Sequence, residues 1–329
     1  MLSMPIMATS NDIPALSPPP TDQVSVAILL CTFRGEHFLA RQLNSFAAQT
    51  HDNWKVWASD DGSDDKTLAL LAAYKEKWGD SRINISQGPR RGFVANFLSL
   101  TCNPTIQADH YAYADQDDLW EPDKLARAAA WLGGVPRETS ALYMSRTRLI
   151  DEDDRELGFA PLFTAKPPTF ANAMVQNIGG GNTMVFNDTA RKLIMAATSD
   201  DTIVSHDWWT YLLITGTGGV AFYDPYPSIR YRQHRSQLVG TNAGLAARLW
   251  RAMRVFGGRF KRWSAINVRT LAPFRERLTP ENRHIFDQFC AARSGWLPMR
   301  LLALKRSGVH RQNFLDNIGL YVAAIFNRL

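Results

Sequence analysis

Cysteine is scarce. The three present, Cys31, Cys102 and Cys290, are odd in number, far apart and in no metal-ligand spacing, which argues against a disulfide framework or a zinc site. A charged and apolar leader is also lacking: no Lys or Arg precedes Arg34 and no sustained apolar stretch lies before it, so no secretory signal is expected. Long apolar runs are missing as well. The longest near the C-terminus, residues 318–326, has nine residues, against the roughly 20 needed to cross a bilayer. No internal repeat is found. These absences predict a protein of the reducing cytoplasm with no transmembrane anchor.

What is present is enough for a substantial core: 329 residues at 45% hydrophobic composition. One large domain plus an appendage is the natural expectation. Charge is unevenly spread. Residues 1–244 hold 21 Lys and Arg against 27 Asp and Glu, whereas residues 245–329 hold 16 against 4. A basic tail of this kind suggests an anionic partner.

Residues 1–23 contain SPPPTD and little apolar periodicity, so they read as a disordered leader. VSVAILLCTF (24–33) is a nearly continuous β-branched and apolar run, as expected for a strand buried on both faces. EHFLARQLNSFAAQT then places Phe38, Leu39, Gln42, Leu43 and Phe46 at helical spacing, and DNWKVWASDDGSDD supplies a second strand ending in a polar loop. The alternation continues through DKTLALLAAYKEKWG, RINISQG, GFVANFLSLTCN and a strand ending at YADQDDLW. This predicts an α/β, doubly wound, Rossmann-like and mostly parallel sheet flanked by helices, with ligands beyond the carboxyl ends of its strands. Residues 24–243 form the expected catalytic domain. From residue 244 onward the pattern is helical and basic.

The polar clusters CTFRGE, SDDGSDD and DQDD all fall at such strand ends. Crowded carboxylates repel, so DQDD (115–118) fits a divalent-cation site in which hard oxygen ligands take Mg²⁺ or Mn²⁺. The plain alternative is that Asp117 or Asp118 caps a helix beginning at DLWEPDKL. Asp60 and Asp61 could accept from a pyrimidine ring N–H and from ribose hydroxyls, or could simply serve a D-D-G-S turn. Further on, Asp207 in HDWW either takes a proton from a hydroxyl or caps its helix. Trp208 and Trp209 divide between core aromatic and sugar platform.

In order and spacing, TFRGEHFLARQLNSFAAQT, ASDDGSDDKT, RRGFVANF and YADQDDLW resemble the inverting family 2 glycosyltransferases of GT-A fold, and most closely their rhamnosyltransferase-like branch. The resemblance covers about residues 24–242. It implies that Thr32, Phe33, Glu36, Asp60 and Asp61 surround the nucleotide base and ribose, and that Arg91 and Asn96 lie beside the nucleotide. It also implies that Asp115 and Asp117 form the aspartate-any-aspartate motif, the first near ribose and the second on Mg²⁺ or Mn²⁺. Asp207 is then the general base. GGGNTMVF resembles an acceptor loop, making Gly180, Gly181 and Asn182 acceptor-binding, with Trp208 and Trp209 added as the sugar platform, and His234 matches a histidine on the metal or diphosphate. Two departures stand out: position 206 is His where an acid is commoner, and RSQ follows His234 where Gly-x-Asn is usual. The Gln-x-x-Arg-Trp signature of processive polymerases is missing, which implies transfer of one or a few sugars.

In residues 245–263, Leu249, Trp250, Phe256, Phe260 and Trp263 interleave with six Arg or Lys. This is the pattern of a helix lying on an anionic bilayer, or equally of a helical cap with solvated arginines. No nucleic-acid reading module is recognised. The reading is a cytoplasmic transferase, peripheral on the inner face of the cytoplasmic membrane, moving rhamnose from dTDP-rhamnose to a cell-surface glycan or lipid-linked acceptor. A UDP-hexose donor is the direct rival. A non-catalytic sugar-nucleotide or glycan binder is a rival of another class, and a nucleotidyltransferase a third, although the glycine-rich phosphate loop it requires is missing from CTFRGE.

Overall fold

The structure, a computed structural model, describes residues 24–198, 203–234 and 258–329. The expected leader, residues 1–23, and the arginine-rich stretch 245–257 lie outside the described residues.

Strand β1 (Val26–Thr32) is buried at all seven positions, as its unbroken apolar sequence requires. β2 (Trp54–Asp60) and then β3 (Ile83–Gln87) extend the sheet in parallel on one side, and β4 (His110–Ala114) on the other. Helices α1 (Leu39–Ala47), α2 (Thr67–Trp78) and α3 (Phe93–Thr101) make the crossovers. The buried stripe of α1 is Leu39, Gln42, Leu43 and Phe46, the spacing of one helix face. Register decides the rest: Thr32 lies opposite Asp60, and Asp60 opposite Gln87. The acid-bearing loops after β1, β2 and β4 therefore project together from one edge of the sheet.

DLWEPDKL differs from expectation. Leu119–Trp120 is a two-residue strand, β5, and helix α4 (Lys124–Gly133) begins only after Asp123. Pro122 biases Glu121 away from helical backbone, so the helix cannot reach back to Asp117 or Asp118. Neither caps it.

The second half adds β6 (Ala141–Ile150), β7 (Glu156–Phe159), the short helix α5 (Phe170–Ala173), a 3₁₀ turn at Gly181–Thr183, β8 (Val185–Asn187), α6 (Asp188–Ala197), α7 (His206–Gly216) and β9 (Val220–Arg232). Among the described residues the sheet has nine strands in the order β3-β2-β1-β4-β8-β6-β9-β5, with β7 pairing β6. It is parallel in its first half and mixed beyond. The proline-bearing β9 is a single 13-residue strand. Its prolines, having no N–H for the ladder, coincide with register shifts against β6 around Arg146. β9 pairs antiparallel with β5 through Leu119–Arg230 and Trp120–Ile229, which folds the acidic loop back against the end of β9.

Among the described residues four α-helices follow: α8 (Phe260–Leu271), α9 (Pro280–Ser294), α10 (Leu297–Ser307) and α11 (Phe314–Ile325). Phe260, Leu271, Phe286, Phe289 and Leu304 share one apolar cluster with Trp209 and Leu212 of α7. Asn282 ties the same junction by donating to the carbonyls of Thr215 and Gly216.

Gln49, buried after α1, holds the turn into α4. Its amide donates to the carbonyls of Ser45 (3.2 Å) and Glu121 (2.9 Å), and its oxygen accepts from Leu125 N (3.0 Å). Gln49→Ala strands these buried groups, so we expect a loss of about 2 kcal/mol, read as a lower urea midpoint with unchanged slope.

Candidate active site

The loops at the carboxyl edge enclose a cleft of ≈ 1030 Å³. Its first wall comes from the ends of β1 and β2. Thr32, Phe33 and Asp61 line it, whereas Asp60 is buried beneath. Asp60 accepts from Thr32 Oγ1 (2.9 Å), Ser63 Oγ (2.6 Å) and the N–H groups of Gly62 (3.1 Å) and Ser63 (2.8 Å). Four donors saturate that carboxylate, so it is the turn acid of D-D-G-S, with Gly62 supplying φ +99. Asp61 reaches across the edge and accepts from Arg90 N (2.6 Å) and Gly92 N (2.8 Å).

That clasp turns Arg90, at φ 56, into the cleft, while Arg91 is exposed and outside the lining. Of the two adjacent arginines it is thus Arg90, not the expected Arg91, that lines the cleft. Sequence order alone could not separate two adjacent arginines. Glu36 also lies outside the lining, with Oε2 accepting from Lys66 N (3.1 Å). Asn96 lines the cleft but is buried, exchanging hydrogen bonds with Ser59 Oγ (2.6 Å) and Ser59 O (2.9 Å). Gln116, missed by motif reading, pairs with both backbone groups of Phe33 at 2.8 Å and braces the β1 and β4 loops against each other.

The acids of DQDD diverge in role. Asp118 is fully buried and accepts from Asn182 Nδ2 (2.6 Å) and Arg232 N (3.1 Å). Burial pushes its carboxyl well above the usual range, and the charges of Asp115 and Asp117 push it further. Asp115 and Asp117 face the cleft. Asp117 Oδ2 lies 2.6 Å from His234 Nε2, and His234 Nδ1 is 3.8 Å from Glu152. Asp115 accepts no hydrogen bond among the described residues. Desolvation raises it to about 7, with repulsion from Asp117 and Asp207 adding to the shift.

The opposite wall carries Asp207, in the first turn of α7. Its Oδ1 accepts from Trp208 N (2.7 Å) and its Oδ2 from Gly181 N (3.2 Å), so it braces its own helix start while also lining the cleft. Gly180 and Gly181 line the cleft beside it. At Gly181 a Cβ would meet His206 Nε2 at 2.4 Å, which is why glycine stands there. Asn182 also lines the cleft, but its amide is committed to Asp118. His206 is buried and stacked on Phe97 at 3.9 Å, and burial lowers its pKa to about 4.

Trp208 and Trp209 do not reach the cleft. Both are buried in the apolar cluster, with Trp208 Nε1 donating to Ala173 O (2.6 Å). The sugar-platform reading is therefore corrected for both. The α8–α11 helices cover that side of α7, and their position was not readable from HDWW.

Among the described residues, no three of His, Cys, Asp and Glu converge as a ready-made metal site. The chemistry of the donors nonetheless fits a divalent cation. Asp117 and His234 offer oxygen and imidazole at one point of the cleft, and the carboxylate of Asp115 faces the same cleft.

One pH dependence follows. The folded state holds Asp115 protonated at pH values where the unfolded chain has released that proton, so this group lowers stability as pH rises from about 4 to about 7. Thermal melts of metal-free wild type and Asp115→Asn should diverge across that window, with wild type losing stability relative to the variant as pH rises.

Residues 27–152 match the family model described as Glycosyl transferase family 2. The dTDP-rhamnosyl transferase RfbG of Shigella flexneri is 26% identical over 228 residues, 67% of this chain and 76% of that protein. Among solved structures, S. aureus TarS 1-349 in complex with UDP-GlcNAc superposes with a TM-score of 0.53 at 12% identity, over 92% of this chain and 90% of that one. The mannosyltransferase PcManGT of Pyrobaculum calidifontis, solved with GDP-Man and Mn²⁺, gives a TM-score of 0.50 at 16% identity, over 95% and 88%. The match to family 2 glycosyltransferases thus lies in residues 27–152, which hold β1 to β6 and the acids of the carboxyl edge, and the sheet order with the structural likenesses shows a GT-A fold.

Proposed function

We propose that the chain transfers a sugar, with inversion, from a nucleotide donor to a hydroxyl of a cell-surface glycan or lipid-linked acceptor. The observation that carries this reading is that one cleft joins the acids Asp115 and Asp117, with His234, to a separate carboxylate, Asp207, on the facing helix start. Inversion needs such an arrangement. A base must sit across from the leaving diphosphate so that the acceptor oxygen attacks the anomeric carbon from the far side.

In this reading Asp207 takes the proton of the acceptor hydroxyl, held toward the cleft by Gly181 N. Thr32, Phe33 and Asp61 border the base and ribose, and Arg90 lies beside the diphosphate. Asp117 and His234 hold Mg²⁺ or Mn²⁺, with Asp115 next to them. The bound cation supplies charge stabilisation to the departing nucleoside diphosphate. Glu36, Asp60 and Asn96 act as supports of the loops rather than as ligands, because their polar atoms are already engaged within the protein. Asn182 acts through Asp118, while Gly180 and Gly181 leave room for the acceptor.

dTDP-rhamnose is the proposed donor, supported by the likeness to RfbG. No helix among the described residues is long and apolar enough to cross a membrane. A cytoplasmic enzyme resting on the inner face of the membrane through residues 245–329 would meet a lipid-linked acceptor there.

Isothermal titration with dTDP, UDP and GDP, each with and without Mn²⁺, tests the donor site. We expect metal-dependent binding of dTDP that Asp117→Ala abolishes. Preference for UDP would move the donor to the UDP-hexose class, and no binding of any nucleotide would overturn the reading.

The base has its own test. Asp207→Asn should lower kcat by about 10²–10⁴-fold and leave nucleotide affinity unchanged, as measured by product formation and titration on the same preparation. Nucleotide binding without turnover in wild type would instead favour a sugar-nucleotide-binding protein.

A further inference from the structure

The last two helices present an apolar surface to solvent. On α11, Phe314, Ile318, Tyr321 and Ile325 recur at the spacing of a single helix face, and all four are exposed, Phe314 at 78%. The helix buries Leu320, Ala323 and Ala324 instead. Leu315 beside the stripe is 76% exposed and Phe326 beyond it 65%. On the preceding helix Leu297, Met299 and Leu302 are exposed, and Trp296 at its entrance is 69% exposed.

Arg300 brings these features together. It donates through Nη1 to Ala324 O (2.7 Å) and through Nη2 to Gly295 O (2.9 Å). The start of α10 and the end of α11 are thereby joined, so Trp296 and Leu297 lie at the same end of the helix pair as Ile325 and Phe326. A monomer rarely leaves so many large apolar side chains together in water without a use for them.

Charge selects the occupant. Residues 293–329 contain six Lys and Arg and a single acid, Asp316. Lys305, Arg306 and Arg328 are exposed. A second copy of this chain would bring the same basic surface against itself, whereas an anionic bilayer offers phosphate to the cations and hydrocarbon to the stripe. Trp296, at the margin of this face, suits the headgroup boundary.

We propose that α10 and α11 lie on an anionic phospholipid bilayer, inserting the Phe314, Ile318, Tyr321 and Ile325 face. This deepens the membrane contact proposed above by narrowing it from residues 245–329 to α10 and α11. It does not depend on the transfer chemistry.

The test is co-flotation of the full chain with vesicles of phosphatidylcholine alone and of phosphatidylcholine mixed with phosphatidylglycerol. Wild type should float with the mixed vesicles, and added salt should weaken that binding. The variant Phe314→Ser with Ile318→Ser should bind at least about tenfold more weakly, because two inserted side chains no longer enter hydrocarbon. Both substitutions fall on exposed positions, and nucleotide titration of the same sample verifies an intact cleft. Lys305→Glu with Arg306→Glu should remove the preference for the anionic vesicles. Equal flotation of wild type and the serine variant would overturn the proposal, as would failure of wild type to float. A dimer in light scattering that the serine variant dissolves would assign the face to a second copy instead. Loss of nucleotide binding in wild type would count against the catalytic reading and leave this one standing.

Discussion

A single buried cation holds the cleft in shape. The side chain of Arg232, at the end of β9, is fully enclosed, with its guanidinium 4.3 Å from the ring of Phe38. Its Nε donates to Asp117 O (2.8 Å), its Nη1 to Asp151 O (2.8 Å) and Glu152 O (3.2 Å), and it forms an ion pair with Asp154 at 2.6 Å. Its backbone N–H goes to Asp118. A buried guanidinium is tolerated where its charge is paired, and here the hydrogen bonds of Nε and Nη1 and the ion pair of Nη2 with Asp154 fix the acidic loop, the β6–β7 turn and the end of β9 relative to one another. His234 is two residues further on. The Asp117–His234 pairing is thus set by a residue that the motifs do not include.

The carboxylates around it divide by environment rather than by sequence. Asp118, adjacent to Asp117 in the chain, points into protein and is consumed by Asn182 and Arg232, while Asp115 and Asp117 face the open cleft. The same division occurs at Asp60 and Asp61: one closes a turn, the other clamps the Arg90 loop. In each pair, alternation of side chains near a strand end sends neighbouring residues to opposite sides. Identical chemistry then serves architecture on one side and the cleft on the other.

Much of this was legible beforehand. The buried run of β1, the stripe of α1 and the alternation of strands and helices give the first half of the sheet, because parallel α/β units impose strong local periodicity. The carboxyl-edge location of the acids follows from the same pattern. What escaped has physical reasons as well. The helix expected at DLWEPDKL is displaced by Pro122 and by pairing with β9, a partner more than a hundred residues away. Trp208 and Trp209 were candidates for a sugar platform because nothing local reveals that helices after residue 258 bury them. Arg90 rather than Arg91 enters the cleft because of a backbone clasp to Asp61, and Gln116 matters through a main-chain pairing that carries no sequence signature.

The pairing of β9 has a bearing on how the molecule is made. β6 and β9 align over ten positions although some seventy residues separate them, and β5 joins β9 from farther still. Such contacts are reached late, since a long intervening chain must be ordered before they reward it. Until β9 docks, the acidic loop has no Arg232 to organise it and Asp117 has no His234. On the ribosome, the first half of the sheet emerges long before the strand that finishes the cleft. During synthesis the acids of the first half therefore precede by about a hundred residues the strand that brings Arg232 and His234, and the lining of the cleft is complete only once β9 has docked.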